Sequence, residues 1–109
     1  MLRKLIKWLK SLFKKERIYD YEFVDDVPNR FKIRTIYIIG NEEYYWQIVM
    51  LCPCGCKKIL HMNLMEDYAP YWRYEFDKRN RITLCPSVHR IVGCKSHFFI
   101  RKGTISWCK

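Results

Sequence analysis

The chain reads as a small, mainly β domain, an antiparallel sandwich or open barrel stapled by a metal site, with an amphipathic helix in front of it. Three features carry this expectation. The hydrophobic period changes from about 3.6 near the start to about 2 from Tyr21 onward. Short apolar and aromatic runs alternate with turn-forming residues at close intervals. Three cysteines alternate within one Pro/Gly turn. The 109 residues, half of them hydrophobic and 17% aromatic, suit one domain with a modest core and exclude a disordered chain.

The first element is the helix. Leu2, Leu5, Ile6, Leu9, Leu12 and Phe13 recur at the spacing of one helical face. Residues 1–17 carry seven basic side chains against Glu16 alone, so they hold +6 of the net +10. A helix of this length is about 25 Å long, too short and too charged to cross a bilayer. Its apolar stripe can pack on its own domain, dock into a protein partner or a second copy, lie on an anionic membrane, or approach nucleic-acid phosphates. Its start has neither the unbroken apolar core nor the small-residue cleavage site of a signal peptide, which predicts a cytoplasmic protein with reduced thiols. The organisation expected is a basic amphipathic helix over residues 1–18 and a metal-binding all-β domain over residues 19–109.

Strands are predicted at Tyr21–Val24, Ile33–Ile39, Tyr44–Cys52, Lys57–Leu64, Tyr71–Asp77, Arg81–Leu84, His97–Arg101 and Thr104–Cys108, all rich in β-branched and aromatic residues. The breaks fall at Asp25-Asp26-Val27-Pro28-Asn29, at Gly40-Asn41, at Asp77-Lys78-Arg79-Asn80 and at Lys102-Gly103. Nothing alternates in the βαβ manner, so an antiparallel arrangement follows. With Lys102-Gly103 as a two-residue loop, Arg101 faces Thr104, Ile100 faces Ile105, Phe98 faces Trp107 and His97 faces Cys108. Phe98, Ile100, Ile105 and Trp107 then share a core face.

The candidate site rests on two clusters, Cys52-Pro53-Cys54-Gly55-Cys56 and Gly93-Cys94-Lys95-Ser96-His97. Zinc takes four soft or borderline ligands in a tetrahedron, usually as short pairs from separate turns. Cys94 and His97 have the spacing of one such pair. Two of Cys52, Cys54 and Cys56 supply the other, and Gly55 lets the loop fold around an ion. The expectation is one zinc per chain, with ligands drawn from Cys52, Cys54, Cys56, Cys94 and His97. Cys108 falls beside His97, as a further candidate ligand or a nearby thiol. Cys85 reads as a small buried residue, and His61 and His89 as structural or surface histidines.

Other chemistries fit less well. The Cys-x-His half of a Rieske iron–sulfur site is missing. No phosphate-cradling glycine loop, no serine nucleophile elbow and no His-Glu-x-x-His stands in the chain. A Cys108–His97 nucleophile pair can be drawn, but metal ligation of His97 abolishes it as a base. The aromatic runs Tyr44, Tyr45, Trp46 and Tyr68, Tyr71, Trp72, Tyr74 can stack nucleic-acid bases on an exposed sheet, or simply form a core and its rim.

Several of these stretches together carry a resemblance: Tyr21-Glu22-Phe23-Val24 with Val27-Pro28, the Cys52–Cys56 turn, Pro70-x-Trp72, Pro86-Ser87-Val88, and Gly93-Cys94-Lys95-Ser96-His97-Phe98-Phe99-Ile100-Arg101-Lys102-Gly103 ending in Trp107-Cys108. The chain resembles a small bacterial and phage family of unknown function with predicted metal binding. Some members of that family are encoded beside ubiquitin-like proteins and their conjugating enzymes; others carry an ammonia monooxygenase label. The resemblance spans about residues 20–108; Phe99 stands where Trp is expected, and Cys85 looks peculiar to this chain. It implies a metal-stapled β domain, an accessory of a bacterial ubiquitin-like conjugation or phage-related system.

The function expected is accordingly a zinc-stabilised binding or adaptor module in a protein complex, more a non-enzyme than an enzyme, with no catalytic residue assigned. Its partner is a protein, or a second copy, met through residues 1–17, ahead of nucleic acid and peripheral membrane. The alternatives are a small metalloenzyme or redox protein, and a nucleic-acid binder using the basic helix and the aromatic face.

Overall fold

The computed structural model of the chain describes residues 18–90 and 93–108. Eight strands follow one another: β1 Asp20–Val24, β2 Thr35–Asn41, β3 Tyr44–Leu51, β4 Ile59–Asn63, β5 Arg73–Phe76, β6 Ile82–His89, β7 His97–Arg101 and β8 Thr104–Trp107. They form two four-stranded sheets, β1-β2-β3-β4 and β5-β6-β7-β8, each in chain order.

The fold class expected from the sequence needs two corrections. No helix stands among the described residues, so the fold is all-β rather than β with an N-terminal helix. The segment read as that helix, and given the docking role, lies outside the described residues. Nor is the first sheet wholly antiparallel. β1 runs parallel to β2, with Asp20 beside Thr35 and Val24 beside Ile39. A parallel pair needs a long return connection, not a hairpin. Residues 25–34 provide it, and its Asp/Pro content breaks β structure without specifying strand direction.

Every predicted strand exists, most with ends shifted by one or two residues, and the largest shift, at the end of β6, matters most. The sequence ends β6 at Leu84, because Cys85-Pro86 reads as a breaker. Instead the strand continues to His89 through a bulge. Leu84 faces Ile100 and Val88 faces Phe98, so three residues on β6, Cys85, Pro86 and Ser87, stand against Phe99 alone. A bulge leaves residues out of the ladder, so the missing N–H of Pro86 leaves no rung unmade.

The last hairpin has the expected register: Arg101 faces Thr104, Phe99 faces Ser106, Phe98 faces Trp107, and the Cys108 N–H donates to the His97 carbonyl at 2.8 Å. Lys102 and Gly103 both have positive φ, 50° and 77°, the signature of a type I′ turn that matches strand twist.

One core joins the two sheets. Ile36, Ile38, Ile48, Met50, Leu60 and Met62 of the first sheet meet Ile82, Leu84, Val88, Phe98 and Ile100 of the second. The alternation of buried and exposed residues along β4 and β7 shows the two-residue period directly. β2 is buried along nearly its whole length, because the 25–34 connection covers its other face. There Phe31 packs edge-on against Tyr37 at 5.3 Å, and the Tyr37 hydroxyl accepts from the Lys32 N–H. Trp107 departs from its expected core place: it stands 54% exposed, edge-on to Phe98. Among the described residues, the terminal strand β8 has no neighbour on its other side in the sheet to cover it.

Candidate functional site

The cysteine turn joins β3 to β4 in the first sheet, and Cys94 lies between β6 and β7 in the second. The two connections meet at one end of the sandwich. Gly55, at φ 89°, and Lys57, at φ 64°, turn the first loop back. The Gly55 N–H donates to the Cys52 carbonyl, and the Cys56 N–H points at the Cys54 sulfur at 3.4 Å. The Sγ atoms of Cys52, Cys54, Cys56 and Cys94 all lie within 4.8 Å of one another. Cys52 Sγ is 3.3 Å from that of Cys54 and 3.6 Å from that of Cys94. A tetrahedral ion with metal–sulfur bonds of about 2.3 Å sets its sulfurs about 3.8 Å apart, so four soft donors stand at the spacing a single ion needs. The four cysteines can therefore hold a metal ion.

The electrostatics of the four thiols are uneven. Cys52 is buried, and burial pushes its thiol up to about 11. Hydrogen bonding to Ser96, side chain first and then backbone, holds Cys94 down at about 6. Cys54 is also lowered, chiefly by the hydrogen bond from Cys52. Without an ion, Cys94 and Cys54 give up their protons before Cys52, so negative charge favours these two thiols. Arg90 answers that charge: its Nη1 lies 3.1 Å from Cys94 Sγ and 3.5 Å from Cys56 Sγ.

His97 does not join the four sulfurs. Its Nε2 lies 2.9 Å from the Ser87 hydroxyl. That distance is within the reach expected of a nucleophile and its base. The bulge in β6 brings Ser87 there. Leu84 and Val88, on either side, point into the core, and Cys85-Pro86-Ser87 swing out on the opposite face. Trp72 fixes the bulge from the side, its indole Nε1–H donating to the Ser87 carbonyl at 3.3 Å. His89 sits directly across from His97 and stacks on it, ring centroids 4.3 Å apart and planes 20° from parallel. Beyond His97 on the same face lies Phe99, with the Arg101 guanidinium over its ring at 4.1 Å. Ser87 and His97 are half-buried and His89 is exposed, so the pair is open to solvent.

The remaining sequence candidates fall elsewhere. Cys108 adjoins His97 through the backbone bond and is half-buried. Cys85 is exposed on the outer face, not buried. His61 is exposed on β4, across from Val49. Ser87 is a candidate that sequence reasoning misses. A signal for it exists: once Pro86 is allowed inside β6, the β6–β7 hairpin places Ser87 beside His97.

A compact all-β domain with a four-cysteine centre and a solvent-open serine–histidine pair is the class of protein these features define. A family model described as the bacterial ubiquitination-like system serine protease, BubE, matches residues 23–108, and the chain belongs to that family. No curated protein and no solved structure matches the chain. Membership ties the chain to a bacterial ubiquitination-like system and so to protein partners. Among the described residues, no helix is long and apolar enough to cross a membrane.

Proposed function

We propose that the chain is a serine hydrolase acting on protein substrates of a bacterial ubiquitination-like system, with Ser87 as nucleophile and His97 as general base. The observation that carries this is the 2.9 Å contact between Ser87 Oγ and His97 Nε2 on an open sheet face. The description of the family as a serine protease supports it. An adaptor, the function expected from sequence, does not require such a pair.

The chemistry follows from the positions. With its proton on Nδ1, His97 accepts the hydroxyl proton at Nε2 as Ser87 Oγ bonds to the substrate carbonyl carbon. The imidazolium then returns that proton to the leaving amine, and water releases the acyl group by the same steps reversed. Among the described residues no carboxylate hydrogen-bonds His97. The stacked ring of His89 and the β7 backbone hold its orientation instead.

The four-cysteine centre is assigned to one zinc with a structural role. Cys52, Cys54, Cys56 and Cys94 fill a tetrahedron and leave no open position for a reacting water. This leaves His97 free for Ser87. The ion ties the β3–β4 loop to the β6–β7 loop, one from each sheet.

Labelling with a fluorophosphonate probe tests the assignment. The wild-type chain takes up one probe at Ser87, located by peptide mass spectrometry. Ser87→Ala abolishes the adduct and His97→Gln slows it by about 10³-fold or more while both variants melt near wild type. Undiminished labelling of Ser87→Ala would remove Ser87 from the chemistry.

A further inference from the structure

In the hydrolase reading the cysteine centre is a staple and the Ser87–His97 pair is the chemistry. The residues between them connect the two. Arg90 follows directly on β6, which carries Ser87 and His89, and Ser96 directly precedes His97 on β7. The Arg90 N–H donates to the Ser96 carbonyl at 2.8 Å, so these residues form the rung next to the His89–His97 rung. Both side chains of that rung turn to the thiols. Arg90 Nη1 reaches Cys94 and Cys56 at 3.1 and 3.5 Å. The Ser96 hydroxyl lies 3.1 Å from Cys94 Sγ and 3.7 Å from Cys52 Sγ, and Ser96 is buried.

We propose that Arg90 and Ser96 are positioning residues that transmit the geometry of the four-cysteine centre to the Ser87–His97 pair. This rests on the hydrolase reading. The link is one of constraint. Ser87 sits on a bulge, and the β6–β7 ladder is interrupted between Leu84 and Val88. Only the rungs from Val88 to Arg90 then hold the Ser87 end of β6 against β7. The outermost of these is anchored at both ends by hydrogen bonds to sulfur. Donors held on metal-bound ligands orient those ligands, and the ligands orient the donors in return. A shift of about 1 Å in a reacting pair costs on the order of 10²-fold in rate. The centre therefore acts on catalysis as well as on stability.

The test uses Arg90→Gln, Arg90→Lys and Ser96→Ala in the full chain. Each is loaded with cobalt and followed by its sulfur-to-cobalt charge-transfer bands, by the imidazole ¹⁵N signals of His97, and by the rate of fluorophosphonate addition to Ser87. The proposal expects Arg90→Gln to keep one cobalt per chain, with shifted charge-transfer bands, altered His97 signals and addition slowed about 10- to 100-fold. Arg90→Lys, which restores a charged donor, recovers part of the rate. Cobalt bands that shift while His97 signals and rate stay at wild type overturn the proposal. If Arg90→Gln does not fold, Ser96→Ala decides between these outcomes by the same readouts. If the wild-type chain itself takes no probe at Ser87, the hydrolase reading has failed. The His97 signals then decide the linkage alone: altered in the variants, it stands as a structural coupling, and unaltered, it falls.

Discussion

At the scale of single residues, the site shows which chemistry a sequence displays and which it hides. Three alternating cysteines in a Pro/Gly turn have few uses besides gathering sulfur, so Cys52, Cys54 and Cys56 are conspicuous, and the loop before β7 supplies Cys94 as their fourth neighbour. Ser87 carries no such mark. Serine is common on surfaces, and only the β6–β7 register brings this one to His97. The same register explains why His97, which has ligand-like spacing from Cys94, faces Ser87. Ser96, just before β7, and His97, its first residue, point to opposite sides, Ser96 to the sulfurs and His97 away from them.

The thiols make a pH prediction at this scale. Cys94 is held at about 6 against an ordinary 9.0, chiefly by Ser96. In chelator-treated protein, iodoacetamide should modify Cys94 with a midpoint near pH 6, read by peptide mass spectrometry, and Ser96→Ala should move the midpoint up. The unfolded thiol keeps its proton up to pH 9.0 whereas the folded one loses it from about 6. Cys94 thus makes the metal-free fold more stable as pH rises from about 6 to 9, and that gain is lost as pH falls back through 6. Cys52, raised to about 11 by burial, acts in the opposite sense between 9 and 11.

At the scale of elements, the strands are legible because a two-residue period with β-branched and aromatic residues survives in almost every one. Strand direction and the long β6 are not. Direction in β1 depends on where the 25–34 connection packs, and Phe31 on Tyr37 settles that through tertiary contact. The extent of β6 depends on a bulge, which no local pattern around Pro86 announces. The register of the β7–β8 hairpin is legible, because Lys102-Gly103 marks a two-residue loop that fixes it, but the exposure of Trp107 is not. Gly103→Ala tests that turn. A Cβ there meets the Ile18 Cγ2 at 2.5 Å, and φ of 77° disfavours any side chain. The variant should lose about 1–3 kcal/mol in urea unfolding, with fluorophosphonate addition per folded molecule unchanged.

At the scale of the whole molecule, two modest sheets share one core and one sulfur centre. The core is strong at its middle, where Phe98 and Ile100 of the second sheet pack with Ile38, Ile48 and Met50 of the first. Phe98→Ala should cost about 3–5 kcal/mol by urea unfolding, because the side chain is fully buried and its neighbours come from two rigid sheets. At the sulfur end, loops in place of strands join the sheets, and an ion held by the four cysteines would there substitute for packed side chains. Stripping zinc with a strong chelator should lower the melting temperature and slow addition to Ser87 together. Cys94→Ser should do the same without chelator.

The central claim is a serine nucleophile beside a zinc-bound four-cysteine centre, with His97 serving the serine. A crystal structure of the fluorophosphonate-treated chain, with data collected at the zinc absorption edge, tests it most directly. The account predicts phosphorus bonded to Ser87 Oγ, and an anomalous peak bonded to Cys52, Cys54, Cys56 and Cys94 with His97 Nε2 turned to the adduct. An adduct on a cysteine, or a zinc bonded to His97, would contradict it.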